Sequence, residues 1–238
     1  MSSSLSLSAL LSGTFYEHGY DHRVEIIHQR DAGAHRRLAS LEVALYDKDG
    51  ALLATPAVDP GLEVLDLAAL VGKATSTQER VMVVLDARYD DAIFPYRPHH
   101  YAYFHRRGST AAPLYYAVNA ALGGVPDRVG ATNINNFETY VFRQQPFAET
   151  YSLLLGCLAR FVPVQAQVFA YYGSRRIARD VTLAPKCHSE VQLPAEDHGE
   201  RLARVEVKAL FRLLSYVVGR RAGTGDLVLF DHLFTYAK

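Results

Sequence analysis

The chain has 238 residues, 49% hydrophobic and 21% charged, and its 25 basic and 25 acidic side chains give a formal net charge of zero. Proteins that bind nucleic acid or an anionic membrane through electrostatics carry a basic excess, so the balanced charge argues against both partners. The hydrophobic fraction argues against disorder, and no apolar run of about 18 residues predicts a transmembrane helix.

Short alternating runs rich in Val, Ile, Tyr and Phe predict strands along most of the chain. The opening residues 1–12 alternate Leu with Ser and lack a basic segment, so they indicate a tail or a first strand rather than an export signal. The turn Asp47-Lys48-Asp49-Gly50 predicts a hairpin, because Asp-Gly tolerates the positive φ that hairpin turns need. Strands in this half are predicted at 24–28, 41–46, 52–54, 62–67, 79–85 and 101–105.

The second half shows the same pattern of short alternating strands separated by turns. About seven short strands per half, with turn signals every 8–12 residues or so, are typical of an antiparallel sandwich. Helical patterns are confined to 66–71 and 114–122. The sequence therefore predicts an all-β fold with few or no long helices. Strands in this half are predicted at 151–157, 164–172, 177–183, 190–193, 204–211, 214–218 and 227–236.

Three segments resemble one another across the two halves. Residues 41–46 match 166–171, 80–83 match 204–207, and 100–105 match 227–232, at offsets between 124 and 127. Matches in the same order predict an internal duplication, with two similar β-sandwich units in tandem. The predicted units are 14–107 and 132–238, joined by an aromatic connector at 108–131. Burying one large apolar side chain stabilises the folded state by about 1.5–3 kcal/mol. We therefore expect this apolar connector to be ordered and to pack against both units.

The two cysteines stand apart from any recognisable pattern. Cys157 and Cys187 form no C-x-x-C or similar spacing. In a chain of this size, isolated cysteines are typical of free thiols in a reducing compartment. The sequence therefore predicts a cytoplasmic protein without disulfides.

Histidine is unevenly distributed and provides the candidate site. The third match aligns His105 with His232, so two units packed about a pseudo-twofold axis would bring both to one interface, where concave sites often form. The alternative is that these histidines are surface or hydrogen-bonded residues at strand ends. No zinc-type spacing occurs, so neither a metal nor a cofactor is predicted. The predicted ligand-binding residues are His99, His100, Tyr103, His105, Asp231 and His232.

Aromatic content adds a second indication of binding. The chain has 15 tyrosines and no tryptophan, and the tyrosines of 96–116 can line a groove that offers ring faces and hydroxyls to sugars or planar ligands. The lack of tryptophan weakens a dedicated carbohydrate-binding reading, and strand and core packing accounts for most aromatic residues. Neither a G-x-S-x-G nucleophile motif nor a phosphate-binding loop is present.

Two functions remain open at this point. The first is a non-catalytic binding or assembly module that recognises a small polar or glycan-like ligand, or a protein partner, at a surface between the two units. The second is an enzyme of hydrolase or isomerase type with a His-rich acid–base or metal site between the units. The motifs identify no named family, both functions are compatible with a homo-oligomer, and the fold class alone does not decide between them.

Overall fold

The computed structural model describes residues 9–26, 30–31, 34–35, 38–76, 80–89, 100–121, 136–142 and 150–235. This part of the chain is almost entirely strand, with one short helix, α1 (Leu67–Ala74). The predicted all-β fold is therefore confirmed. None of the described segments is a helix with the length and hydropathy of a membrane span.

The first half forms two antiparallel sheets beside the short β3–β4 pair. Sheet 1 has the strand order β10-β9-β2-β7, and sheet 2 has the order β11-β1-β8-β5-β6. The strands are β1 (Ala9–Glu17), β2 (Tyr20–Glu25), β3 (Arg30–Asp31), β4 (Ala34–His35), β5 (Leu38–Tyr46), β6 (Leu52–Ala54), β7 (Val64–Asp66), β8 (Arg80–Tyr89), β9 (Tyr101–Arg106), β10 (Leu114–Ala117) and β11 (Asn119–Ala121).

The second half also forms two antiparallel sheets. Sheet 3 has the order β20-β19-β13-β16, and sheet 4 has the order β21-β12-β18-β14-β15, with β17 attached to β18. The strands are β12 (Asn136–Val141), β13 (Thr150–Cys157), β14 (Val164–Tyr172), β15 (Arg175–Leu183), β16 (His188–Leu193), β17 (Glu196–Asp197), β18 (Glu200–Ala209), β19 (Leu213–Arg220), β20 (Leu227–His232) and β21 (Phe234–Thr235).

The two halves share one strand order. Matching β1 with β12, β2 with β13, β5 with β14, β8 with β18 and β9 with β19 converts sheet 1 into sheet 3 and sheet 2 into sheet 4. Two of the predicted sequence matches fall on equivalent strands, β5 with β14 and β8 with β18. The third is wrong: β9 corresponds to β19 and β20 corresponds to β10, so His105 and His232 are not equivalent positions. The shared order describes geometry, and a duplicated sequence stays a prediction.

Several segments differ from their predicted structure. The described part of the predicted connector contributes β10 and β11, the edge strands of sheets 1 and 2, so 114–121 is not helical. The opening alternation of Leu and Ser leads into β1, an interior strand of sheet 2. The strand predicted at 62–67 stops early, because the Asp66 side chain accepts a 3.0 Å hydrogen bond from the Ala69 backbone N–H and starts α1.

The four sheets stack in the order 1, 2, 3, 4. Successive residues of β1 point to opposite faces of sheet 2. Thr14 faces sheet 1, where its Oγ1 lies 2.6 Å from the hydroxyl of Tyr116. Phe15 faces sheet 3, where its ring contacts the rings of His188 and Tyr216, with centroids 5.4 and 5.8 Å away.

Sheet 3 is buried on both faces. Leu153 and Val217 pack in the core shared with sheet 4, whereas Leu154 and Tyr216 pack in the core shared with the first half. Strands that are buried on both sides read as continuous apolar runs, which explains why β13 and β19 lack polar alternation. The five-stranded sheet of the first unit thus packs against the four-stranded sheet of the second, and the units are arranged head to tail.

The junction between sheets 2 and 3 is filled. A Cβ at Gly13 would lie 2.7 Å from Leu214 Cδ1, and one at Gly156 would lie 2.7 Å from Met82 Sδ and 3.1 Å from Phe15 Cζ. Glycine at these positions lets the two sheets approach closely.

Charged side chains bridge the same junction at its rim. Arg220 donates to Glu17 Oε2 at 2.5 Å, and Arg80 donates to Glu190 Oε2 at 2.8 Å and to Glu17 at 3.3 Å. All four side chains are largely buried. This network links β1 and β8 of the first unit to β16 and β19 of the second.

An aromatic cluster closes the edge of the first sandwich. Phe230 of β20 stacks on Phe104 at 5.3 Å and on Tyr216 at 4.9 Å, and its ring lies 4.8 Å from that of Tyr116. The Tyr116 hydroxyl also lies 2.7 Å from Nε2 of the fully buried His22. Side chains of the second half therefore complete the core of the first.

We predict that Gly156→Ala lowers the free energy of unfolding by about 1–3 kcal/mol, because the new methyl group overlaps Met82 and Phe15 in a packed interior. Gly72→Ala is the matched control: its new methyl meets nothing within 4 Å, and it should raise the stability by about 0.5–1 kcal/mol through helix propensity. Urea unfolding measures both, and equal effects of the two variants would contradict a closed junction.

We also predict a specific acid sensitivity from His22. Burial lowers its pKa to about 3 in the folded protein, against about 6.5 in an unfolded chain. Protons then bind preferentially to the unfolded state. The contribution of neutral His22 to the free energy of unfolding is therefore fully present above about pH 6.5 and is lost as the pH falls toward about 3. By pH 5 the loss is on the order of 2 kcal/mol.

The test compares the free energies of unfolding at about pH 7.5 and about pH 5. His22→Gln should lose roughly 2 kcal/mol less than wild type over this interval, whereas the exposed control His198→Gln should lose as much as wild type. An unchanged loss in His22→Gln would show that His22 is not held neutral by burial.

Candidate ligand-binding surface

The outer face of sheet 4 is open to solvent, and we call it the sheet 4 end face. It consists of alternate residues of β14 from Gln165 to Tyr171 and their register partners on β15, β18 and β12. The local sequence explains its orientation: from Val164 to Val168, buried and exposed residues alternate strictly. The exposed glutamines therefore share one side of the sheet.

A groove of about 710 Å³ lies at one end of this face. Strands β12, β14, β15 and β18 all contribute to it. Its polar lining combines two amides, a carboxylate, a hydroxyl and an ammonium group beside a phenyl ring. The side chains that supply these groups are Gln165, Gln167, Asp180, Thr182, Lys208 and Phe137.

Contacts within the groove hold its polar groups in place. Gln167 Nε2 donates to Asp180 Oδ1 at 2.9 Å across the β14–β15 pair. The Lys208 ammonium lies 4.9 Å from the ring of Phe169 and 5.4 Å from the ring of Phe137, distances at which a cation is attracted to an aromatic face. The groove therefore presents oriented donors and acceptors next to an apolar ring.

The five predicted ligand-binding residues that the structure describes do not form one site, and the sixth, His99, lies outside the described residues. Tyr103 and His105 share the outer face of sheet 1, with ring centroids 6.3 Å apart, and His105 Nε2 lies 3.1 Å from the Ala111 carbonyl oxygen. His100 is buried just before β9. None of the five described residues lines the groove.

Asp231 and His232 lie where the chain crosses from sheet 3 to sheet 4. His232 is buried, with Nδ1 3.5 Å from Asp231 Oδ1 and its ring 4.5 Å from that of Phe234. Phe104, which precedes His105, points inward to stack on Phe230, so His105 points to the opposite, outer side of sheet 1. The expected convergence of His105 with His232 is therefore wrong.

A buried ion pair lies beside His232. Arg212 Nε is 2.9 Å from Glu138 Oε1, and the Glu138 side chain is only 2% exposed. Burial raises the pKa of Glu138, while the Arg212 charge, a hydrogen bond from Ser215 and the nearby His232 lower it in part. Glu138 and His232 are both buried, so neither side chain is accessible to a substrate in the described conformation.

Sequence reasoning missed both the groove and this ion pair. Gln165 and Gln167 were visible only as the polar half of a strand pattern, and that pattern is shared by any half-exposed strand. Glu138 lies on β12, which the sequence did not predict, because Asn133 to Asn136 reads as a turn. The partner of Glu138, Arg212, is 74 positions away in the sequence.

Comparison with protein-family models, curated proteins and solved structures gives no match for this chain. Within the described segments, no three His, Cys, Asp or Glu side chains are grouped so as to hold a metal ion. Both cysteines are free thiols, Cys157 buried and Cys187 partly so. The candidate surface is therefore identified from the geometry and chemistry of its own residues.

We predict that Arg212→Met lowers the free energy of unfolding by about 3–5 kcal/mol at neutral pH, because it leaves the Glu138 carboxylate buried without its cation. This loss of stability should become smaller as the pH falls. The pKa of Glu138 is raised in the folded state, so lowering the pH protonates the buried carboxyl, which then no longer needs a cation. The protonated carboxyl favours folding, and this contribution disappears as the pH rises. Chemical denaturation at several pH values measures it.

Two further variants complete this test. Glu138→Leu/Arg212→Met should recover most of the loss, because replacing both members of a buried pair is often neutral. Arg175→Met removes a pair whose arginine is about half exposed and should cost less than about 1 kcal/mol. A small, pH-independent loss in Arg212→Met would contradict the described burial of Glu138.

Proposed function

We propose that the protein is a non-catalytic binding module whose groove on the sheet 4 end face takes a small polar, hydroxyl-rich ligand of the glycan class. The observation that carries this proposal is the open groove of about 710 Å³ with amide, carboxylate, hydroxyl and ammonium groups beside Phe137. Hydroxyl-rich ligands need several donors and acceptors at once, together with an aromatic face against which C–H groups pack.

The chemistry of the lining favours such a ligand over an anion or an apolar molecule. Asp180 opposes binding of an anion, and Lys208 is already placed over aromatic rings. An apolar ligand would remove water from the polar groups of Gln165, Gln167 and Thr182 without replacing the hydrogen bonds that water supplies, which is costly. A neutral polyol satisfies both amides, the carboxylate and the hydroxyl.

The proposed surface differs from the one expected from the sequence. The junction between the units is occupied by packed side chains, among them Phe15, Met82 and Leu214. A ligand or partner surface between the units would require these sheets to separate. The outer face of sheet 4 needs no such movement, and its groove has a volume of about 710 Å³.

The test is binding of the full-length protein to a printed array of oligosaccharides, followed by titration calorimetry with the glycan that binds best. We predict that Asp180→Asn weakens this binding by roughly tenfold, because loss of a charge-assisted hydrogen bond costs about 1.4 kcal/mol or more. Asp49→Asn, the same chemical change in the exposed β5–β6 turn, is the matched control and should leave the affinity unchanged.

Two results would contradict the proposed function. One is the absence of binding by the wild-type protein to any oligosaccharide on the array. The other is a bound glycan whose affinity is the same for wild type, Asp180→Asn and Lys208→Met, which would place binding outside the groove. Thermal unfolding of each variant separates loss of binding from loss of folding.

The enzyme alternative has one observation in its favour. Asp231, His232 and Glu138 place three ionisable groups at one crossing point, and such clusters are found at acid–base sites. Structural ion pairs give the same pattern, and here Glu138 already forms an ion pair with Arg212. Since Glu138 and His232 are buried and only Asp231 is partly exposed, the binding function is the better supported of the two.

A further inference from the structure

Among the residues that the structure describes, head-to-tail stacking of the units leaves one sheet face uncovered at each end. Within the chain, the outer face of sheet 2 is covered by sheet 3, and sheet 4 is the topological counterpart of sheet 2. The exposed face of sheet 4 is therefore equivalent to a face that, in the first unit, receives a four-stranded sheet. The counterpart of that four-stranded sheet is sheet 1, whose outer face is also exposed.

The outer face of sheet 1, the sheet 1 end face, carries tyrosines. It consists of alternate residues of β9 from 101 to 105 with their register partners on β2, β10 and β7. Tyr101 and Tyr115 stack in parallel with centroids 5.7 Å apart, and the Tyr115 hydroxyl donates to Glu25 at 2.6 Å. Tyr115 is nevertheless 59% exposed. Exposed tyrosines with an apolar ring and a polar end are typical of protein interfaces.

Exposed apolar side chains concentrate on the two end faces. Of the ten large apolar side chains that are strongly exposed in the described part of the chain, six lie on or at the rim of these faces. Such concentration marks an interaction surface more often than scattered exposure does. The three on sheet 1 are Val64, Tyr101 and Tyr115, and the three on sheet 4 are Val141, Leu210 and Phe234.

The two end faces also differ in charge. On sheet 1, the charge of Asp21 is balanced by its ion pair with Arg107. The remaining charged side chains of this face are one cation, Arg23, and two carboxylates, Glu25 and Asp66, so its formal net charge is −1. On sheet 4, three cations, Arg176, Arg204 and Lys208, face two carboxylates, for a formal net charge of +1. Faces of opposite sign steer association with each other and oppose association of like with like.

We propose that these faces bind each other between copies of this chain, so that the sheet 1 end face of one copy stacks on the sheet 4 end face of the next. The contact repeats between chains the head-to-tail packing of sheets 2 and 3 within a chain. The contact centres on Tyr171 and Phe169 and their cross-strand partners, and the predicted match of 41–46 with 166–171 aligns these two residues with Tyr46 and Ala44. The glycan-type groove lies at the other end of the sheet. The inference stands on topology, exposure and charge, and does not require the proposed ligand.

A head-to-tail contact has a property that distinguishes it from a symmetric dimer. It uses two different surfaces, so each bound copy leaves one face free and association continues until a ring closes or a filament forms. Blocking either face in every copy abolishes association. Mixing copies blocked on opposite faces restores one contact, and association then stops at a pair.

Sedimentation velocity on the full-length protein over a range of concentrations and salt tests this proposal. Two variants that avoid the groove are compared with wild type: Tyr101→Ser/Tyr115→Ser on sheet 1 and Val141→Ser/Arg176→Glu on sheet 4. Wild type should form species larger than the monomer as concentration rises, and less so at high salt, because screening weakens the complementary charges. Each variant alone should stay monomeric, and an equimolar mixture of the two should form a heterodimer and nothing larger.

Two outcomes would overturn the proposal. One is a wild-type protein that stays monomeric at every concentration. The other is a variant that self-associates as well as wild type, because this would assign the contact to another surface or to a symmetric pairing of one face. All four substituted side chains are exposed, and circular dichroism confirms folding. Since none lines the groove, loss of association with retained glycan binding separates this proposal from the proposed function.

Discussion

The fold depends on the packing of sheet 2 against sheet 3. Gly13 and Gly156 let the backbones approach, and Phe15, Met82, Leu214 and Tyr216 fill the space between them. Without this contact, sheet 3 would expose a face of Leu, Val and Tyr side chains, and the core of the first sandwich would lose Phe230. Two sandwiches that share strand order are thereby joined into one four-layer body, with one core on each side of sheet 3.

Because sheets 2 and 3 cover each other's faces, the candidate functions lie on the outer faces of sheets 1 and 4. On the corresponding faces of the matched strands β8 and β18, Met82 and Val84 lie in the closed junction, whereas Glu206 and Lys208 lie on the outer face of sheet 4. Charged in place of apolar residues on that face oppose indiscriminate sheet-on-sheet collapse. What remains at the two ends are mixed polar and aromatic surfaces, which suit selective binding.

Sequence patterns sufficed for most strands of the second half, because segments such as 164–172 and 177–183 alternate and are bounded by turns. They did not predict residues 13–17 of β1, where burial on both faces removes alternation, or β12, where turn-forming asparagines precede the strand. The repeat matches located β5 with β14 and β8 with β18, yet the match of 100–105 with 227–232 joined non-equivalent strands. Short apolar runs resemble each other irrespective of their place in a sheet.

The site was harder to predict than the fold. Histidines drew attention because imidazole has distinctive chemistry, but side-chain direction decides what they contact. His105 points outward and His232 inward on different sheets. The groove instead depends on Gln, Asp and Lys side chains that are individually unremarkable, brought together by the register of four strands. Register depends on long-range pairing, which a single sequence does not display.

We expect the two halves to unfold as one cooperative body, because they are joined through sheets 2 and 3. Native-state hydrogen exchange at increasing, subdenaturing urea concentrations tests this directly. The slowest amides of β8 and of β13 and β19 should share one opening free energy, equal to the global free energy of unfolding. A second half whose amides exchange through a separate opening of lower free energy, while β8 stays protected, would contradict it.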